Sequence, residues 1–338
     1  MPCTVVVGGF FGDEGKGKII SHMAQNDGPS IIVRGGAGPN AGHTIRDGDK
    51  VYKVRMLPSG FLNKDAKVMI GPGVVIDPVV LKAEIEEFGV RGRAFVDANC
   101  GIIEEEHKKL DSGGDLKGRI GSTGSGTGPA NAARAMRTLR LAGDEPRLLR
   151  LLKDVPRAVN TALDDGETIL AEGTQGTFLS LWHGTYPYVT TKDVTASGIC
   201  ADIGIGPRRV DEVVVVFKSY VTRVGTGPLE GELDDKEVEK RGWGEFGTVT
   251  GRPRRAADFD FELAGRAVML NGATQAAITK LDVRFPACKG ITSYGELPME
   301  ARTFVASVEE RLGVPVTMLG TGPDKAEIVD RRVGAAQG

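Results

Sequence analysis

The 338-residue chain is poor in cysteine, histidine and aromatic side chains. Its four cysteines, Cys3, Cys100, Cys200 and Cys288, lie far apart and form no Cys-x-x-Cys pair. That spacing argues against a zinc site and fits the reduced thiols of a cytoplasmic protein. The net charge of −2 gives no drive toward nonspecific nucleic-acid binding. No apolar run approaches the ~20 residues that cross a bilayer, so no membrane partner is expected. The N-terminus lacks the basic-then-apolar pattern of a signal peptide and enters a strand almost at once. With 40% hydrophobic and 26% charged residues, the composition is that of a globular protein with a sizeable core.

Glycine is the exception. The 48 glycines are about twice the usual ~7%. They gather in short loops that follow apolar runs, a pattern of backbone-mediated ligand binding. Strands are expected at Thr4–Val7, Ser30–Val33, Lys67–Ile70, Ala94–Val96, Thr168–Ala171, Glu212–Phe217, Ala276–Thr279 and Val314–Leu319. Helices are expected at Gly15–Gln25, Pro78–Phe88, Pro146–Leu163, Phe259–Asn271 and Ala301–Leu312. Short buried strands interleaved with helices predict an α/β fold with a mainly parallel central sheet flanked by helices. Neither repeat nor clean linker interrupts it, so residues 1–338 are expected to form one domain with loop and small-subdomain excursions. Ligands of such folds bind beyond the carboxyl ends of the strands. Glycine-rich segments stand there, after Val7, Val33, Ala171 and Leu319.

Residues 12–18 read Gly-Asp-Glu-Gly-Lys-Gly-Lys. Gly12, Gly15 and Gly17 let the backbone bring its N–H groups close to a phosphate. The spacing Gly12-x4-Gly17-Lys18 is P-loop-NTPase-like up to its last position, where Ile19 replaces the usual magnesium-binding hydroxyl. Asp13 puts a carboxylate where phosphates would lie, which suits a metal ligand or a proton acceptor. A glycine-rich turn with solvated charges would contain the same residues.

Five further segments carry polar chemistry. Residues 35–44 end in Asn40, Gly42, His43 and Thr44; the imidazole titrates near neutral pH and suits proton transfer. Gly121–Pro129 alternates glycines with hydroxyls and precedes Arg134, Arg137 and Arg140, which at i, i+3 spacing would share one helix face. Glu172–Thr177 contains Gln175 and leads on to His183–Thr191. Thr248–Arg255 places three arginines and hydroxyls around Gly251, a set suited to carboxylates or phosphates. Thr279-Lys280-Leu281-Asp282 puts a carboxylate at a strand end, where it can accept from guanine N1–H and N2–H2, which adenine lacks. Gly320-Thr321-Gly322-Pro323 could wall that base pocket. Each segment alone is also compatible with an ordinary turn or solvated surface.

In this order the segments resemble the adenylosuccinate synthetase family, from Val5 to about Asp324. The resemblance implies a GTP-dependent ligase that joins IMP and L-aspartate through 6-phosphoryl-IMP, releasing GDP and phosphate, with magnesium. It implies catalytic roles for Asp13 as base, His43 as acid, Gln175 and Lys16. Asp13 and the Gly42 backbone would hold the metal. Asp13, Lys16, Asn40, His43, Thr123, Arg137, Gln175, Thr190 and Arg252 would meet IMP, Arg137 from the second subunit of a homodimer. Thr248, Thr250, Gly251, Arg252 and Arg254 would grip aspartate. GTP would fall to Gly12, Glu14, Gly15, Lys16, Gly17, Lys18, Gly42, Thr44, Arg254, Lys280, Asp282, Gly320, Thr321 and Gly322. The chain departs from the family at Phe10-Phe11, Val249, Pro253 and Gly320, and is shorter than its usual form. A different P-loop-type phosphotransferase and a GTP switch are the alternatives. Ile19 counts against the switch, which would hold magnesium through a hydroxyl there.

Overall fold

The computed structural model describes residues 2–113, 115–246, 251 and 253–332. Its centre is a nine-stranded sheet: β1 (Cys3–Gly8), β2 (Ile31–Arg34), β3 (Lys67–Ile70), β4 (Ala94–Val96), β5 (Ile169–Glu172), β6 (Glu212–Lys218), β7 (Gln275–Thr279), β8 (Val316–Gly320) and β9 (Ile328–Asp330). The spatial order is β9-β8-β7-β6-β1-β5-β2-β3-β4. Strands β1 to β8 pair in parallel, and β9 closes the edge antiparallel to β8, with Val329 opposite Leu319. The eight expected strands are all present, with ends shifted by at most two residues.

These runs become strands because both faces are buried. Successive side chains point to opposite faces, so Val5 and Val7 join one apolar cluster while Val6 joins another. The first cluster takes residues from helices Val155–Asp164, Ala196–Ile203, Phe261–Asn271 and Met299–Leu312. The second takes Ile19, Ile20 and Met23 of α1 (Lys16–Asn26). Each such side chain contributes about 1.5–3 kcal/mol of burial. Because β1, β2, β5 and β8 run parallel, the loops after Gly8, Arg34, Glu172 and Gly320 all emerge at one edge of the sheet.

Two helical expectations need correction. The run Pro146–Leu163 is not one helix: a 3-10 segment, Pro146–Leu151, precedes the α-helix Val155–Asp164. Asp154 accepts from the Arg157 N–H at 3.0 Å and caps a new start, and Pro156 suits a first helical turn rather than an interior. The arginines also fail to form one helical stripe. The helix Thr127–Ala135 ends before Arg137, which turns left-handed at φ 64. Its N–H donates to Arg134 O, and the Thr138 N–H donates to Ala133 O, each at 3.0 Å. That left-handed closure is a common helix stop. Arg140 lies beyond it, paired at 2.9 Å with Glu104 and with Glu145.

Candidate active site

The loop after β1 is shaped by positive φ at Gly12 (90°), Asp13 (62°) and Gly15 (84°). Aspartate is one of the few residues that visits this region. Glu14 turns inward. Its Oε1 accepts the N–H groups of Phe10 (3.0 Å) and Gly12 (2.7 Å), and its Oε2 pairs with Lys16 Nζ at 3.0 Å. Lys16 Nζ also donates to the Gln175 carbonyl, which ties the loops after β1 and β5 together. α1 begins at Gly15 with no side-chain cap, leaving its first N–H groups for an anion. A Cβ on Gly17 would stand 2.9 Å from His43 Cβ, so glycine there lets α1 approach the histidine loop.

His43 is buried and held by a carboxylate that the sequence reading did not single out. His43 Nδ1 lies 2.6 Å from Glu172 Oε1. Ser59 donates its hydroxyl to Oε1 (2.9 Å) and its N–H to Oε2 (2.6 Å) of the same acid. Burial opposes the charge on Glu172, but His43, Arg34 and the Ser59 N–H outweigh it and keep its pKa below the ordinary value. Burial likewise pushes the His43 pKa down, against the pull of Glu172. Nδ1–H donates to the Glu172 carboxylate, and Nε2 has no partner among the described residues.

Asp13, Lys16, Asn40, Gly42, His43 and Gln175 line one cavity of about 740 Å³, together with Gly12, Thr123 and Thr190. Asn40 Nδ2 donates to the Thr190 hydroxyl at 3.3 Å. Two buried polar atoms, Asn40 Oδ1 and Gln175 Nε2, lack a partner among the described residues. They offer one acceptor and one donor to a ligand. Thr123 Oγ1 lies 2.9 Å from Ser125 Oγ. The Gly126 N–H in that loop is already accepted by Asp111 at 2.8 Å, so part of the expected anion cradle is bound by the chain itself.

A second cluster lies beside the first. Lys18 points away from the loop after β1: its Nζ donates to the carbonyls of Gly322 (2.5 Å) and Glu327 (2.7 Å). Burial, opposed by Asp282, lowers its pKa to about 8. Lys280 takes a left-handed φ of 61°. Asp282 Oδ1 has no partner among the described residues, and burial, opposed by Lys280, raises its pKa. The Thr321 hydroxyl donates to Ile291 O at 2.6 Å. Thr44 is exposed on a hairpin, His43–Asp47 with Lys50–Val54.

Between the clusters stands Glu245, also unmarked by sequence reasoning. It accepts from Lys218 Nζ (2.7 Å), Tyr220 Oη (2.5 Å) and Arg254 Nη1, and lies 3.6 Å from Lys280 Nζ. Burial works against its charge, but Lys218, Lys280 and Arg254 hold its pKa well below the carboxylate range. Arg254 Nη2 lies 2.9 Å from Asp13 Oδ2. Arg223, likewise unforeseen, lines the cavity, lies over the Phe11 ring at 4.2 Å and donates to Pro228 O, Thr185 Oγ1 and Tyr188 O.

The structure thus brings the residues around Asp13 and His43 into one cavity and Lys18, Lys280, Asp282 and Gly320–Gly322 into an adjoining group. Arg137 is exposed and outside the cavity lining. Gly251 is exposed at φ 64°. Thr248, Thr250 and Arg252 lie outside the described residues. Glu172 stood beside Gln175 in a segment of interest; an acid at a strand end was its one available signal. Glu245 had none, because Lys218, Tyr220 and Lys280 come from distant segments.

A parallel sheet whose first strand feeds a glycine-lysine loop and an uncapped helix defines a P-loop-like nucleotide-binding fold. The family model for adenylosuccinate synthetase matches residues 5–147 and 139–291. The chain is 54% identical over 336 residues to the adenylosuccinate synthetase of Methanocaldococcus jannaschii, covering 98% of this chain and 97% of that protein. It is 52% identical to that of Pyrococcus horikoshii, over 98% and 99% of the two chains. Among solved structures it is similar to fully ligated adenylosuccinate synthetase from Plasmodium falciparum, with a TM-score of 0.90, 26% identity and coverage of 97% and 99%. It is also similar to the succinoaminodeoxyadenylate synthetase of cyanophage S-2L, with a TM-score of 0.82 and 29% identity over 98% and 95% of the chains. The chain belongs to the adenylosuccinate synthetase family.

Proposed function

We propose that this chain joins L-aspartate to IMP at the expense of GTP, with Asp13 and His43 as its proton-handling pair. The observation that carries the reading is their convergence. An acid after β1 and an imidazole after β2 meet in one cavity beside the open start of α1, with Asn40 and Gln175 offering unpaired polar atoms to a heterocycle.

Asp13 takes the N1 proton of IMP, which makes O6 a stronger nucleophile toward the γ-phosphate of GTP. His43, as an imidazolium with its second proton on Nε2, gives that proton to the phosphate oxygen of GDP as it leaves. Glu172 holds Nδ1 and provides the countercharge that an imidazolium needs. The charge of a bound triphosphate opposes the downward push of burial on that ring. Each proton transfer contributes roughly 10²–10⁴-fold. Lys16 and the α1 N–H groups stabilise charge on the transferring phosphoryl group. The aspartate amine then displaces phosphate from carbon 6 of 6-phosphoryl-IMP. Gln175, Asn40, Thr123 and Thr190 orient IMP. Thr248, Thr250, Gly251, Arg252 and Arg254 serve aspartate. Asp282 and Lys280 read the guanine, between Lys18 and Gly320–Gly322.

Magnesium belongs to the same proposal. Asp13 and Gly42 both line the cavity, and would hold the ion through a carboxylate and a backbone oxygen. No group of three or more His, Cys, Asp or Glu that could hold a metal occurs among the described residues. That donor set fits an ion held by one carboxylate, phosphates and water. When bound, the ion neutralises charge on the phosphates. The exposed Arg137, outside its own cavity, fits a homodimer in which it serves the partner's IMP. No helix among the described residues is long and apolar enough to cross a membrane; cytoplasmic placement is part of the proposal.

The test mixes protein, magnesium, GTP, IMP and aspartate and follows adenylosuccinate absorbance. Product formation that requires all three substrates is expected. GTP consumption that proceeds equally without IMP or aspartate would remove the ligase reading.

A further inference from the structure

Glu245 and Arg254 are joined through backbone and side chain. The Arg254 N–H donates to the Glu245 carbonyl at 2.9 Å, and Phe246 bridges Pro253. Their side chains also meet, and each then reaches outward. Glu245 Oε1 lies 3.6 Å from Lys280 Nζ, and Arg254 Nη2 lies 2.9 Å from Asp13 Oδ2. A continuous line of alternating charge therefore runs Lys280–Glu245–Arg254–Asp13, from the guanine-reading strand end to the catalytic loop. Its links differ in firmness. Arg254 is buried and Asp13 half-buried, whereas Lys280 is 44% exposed and its contact is long. Lys218 and Tyr220 hold the centre from the other side: Lys218 Nζ is anchored to both Glu245 and Thr222 Oγ1 at 2.7 Å, and Tyr220 stacks on Trp243 with centroids 4.4 Å apart.

We propose that Glu245 is a positioning residue that couples occupancy of the guanine pocket to the catalytic loop, by sharing its carboxylate between Lys280 and Arg254. The inference rests on the functional reading above. A guanine ring on Lys280 draws that ammonium off Oε1. The carboxylate then has one cation fewer and pulls harder on Arg254, which relaxes its hold on Asp13. The freed Asp13 can turn its oxygens to the purine. Without a guanine nucleotide, Arg254 keeps Asp13 paired. Charges in contact within one network couple measurably, whereas separated sites add independently.

The experiment is calorimetric titration of the full chain with IMP, alone and with saturating GDP, free of turnover. In the parent protein GDP is expected to tighten IMP by about five-fold or more. Glu245→Gln keeps the shape and removes the charge. It is expected to bind both ligands and to lose most of that factor. Lys280→Ala, which cuts the line at its exposed end, is expected to lose it too, and keeps the test open if Glu245→Gln fails to fold. Tyr220→Phe removes a bond to Glu245 that is not on the line and is expected to retain the coupling. An unchanged factor in Glu245→Gln or in Lys280→Ala, or its loss in Tyr220→Phe as well, overturns the relay while leaving the ligase reading intact. Parent protein that binds no GDP at all removes that reading and the relay together.

Discussion

Two buried carboxylates, Glu172 and Glu245, each govern one half of the proposed proton-handling pair, by different means. Glu172 is fully buried and touches His43 directly, with Ser59 filling its remaining valences. Nothing in that set can move without leaving a buried polar group unpaired, which costs about 1–3 kcal/mol. Glu245 acts on Asp13 at one remove, through Arg254, and shares its charge with three cations, one of them loosely held and exposed. The first arrangement fixes an orientation. The second distributes a charge that a ligand can redistribute. Acid and base thus need not be equally preorganised in one cavity: the imidazole is held on a post, the carboxylate on a tether.

The largest expected effect is at the tethered end. Asp13→Asn removes the base and the ion pair to Arg254 but keeps the side-chain volume. Turnover should fall by roughly 10²–10⁴-fold, the usual contribution of a general base, while GDP binding by calorimetry largely persists. Turnover close to the parent's would take Asp13 out of its role and leave the comparison with only one governed residue.

At the fixed end the readout is a pH profile. Glu172 raises the His43 pKa against the effect of burial. Glu172→Gln removes that support, so the imidazolium loses its proton at lower pH. The alkaline limb of kcat should move to lower pH, and kcat near neutrality should fall by about 10²-fold. A variant that was merely loosened would lose activity equally at every pH. That result would reduce Glu172 from an electrostatic post to packing.

Next in size is the guanine end of the tether. Asp282 Oδ1 has no partner among the described residues. A carboxylate that accepts from guanine contributes roughly 1.5–3 kcal/mol per charge-assisted bond. Asp282→Asn should therefore weaken GDP by about ten-fold or more and leave IMP nearly unchanged. Equal weakening of both ligands would place the guanine elsewhere and cut the tether from its proposed signal.

What was legible in the sequence follows the same division. Strands such as β1 and β6 declare themselves because burial on both faces selects unbroken β-branched runs. The cavity's Asp13, Asn40, His43 and Gln175 were visible because each stands in a glycine-rich loop at a strand end. Their governors were not. His43 and Glu172 are 129 residues apart, and Glu245 and Lys218 are 27 apart; only the folded chain makes them neighbours. The arginine stripe failed for a local reason: spacing cannot show that Arg137 adopts the left-handed turn that stops its helix. Lys18 was expected among the GTP-binding residues because of its loop; spacing could not show that its side chain reaches from that loop to the carbonyls of Gly322 and Glu327.

That last residue gives the smallest and most specific prediction. Lys18 staples α1 to the carbonyls of Gly322 and Glu327, so its loss should loosen the wall of the base pocket. Lys18→Met should raise the Kd for GDP several-fold, less than Asp282→Asn does, because a hydrogen bond to a charged group contributes about 1.5–3 kcal/mol to the wall and less to the ligand. A second measurement separates the staple from a phosphate contact. The folded pKa of about 8 lies below the ordinary ~10.4 of an unfolded lysine. Between those values the unfolded chain binds more protons than the folded one. Stability from this group therefore rises with pH from about 8 to ~10.4, and the cost of the buried charge returns in full as pH falls below 8. Methionine has no such proton. Thermal unfolding at pH 7 to 10 should show the parent gaining on Lys18→Met as pH rises above 8. Parallel curves would mean that the amine sits in water, and that Lys18 belongs with the phosphates after all.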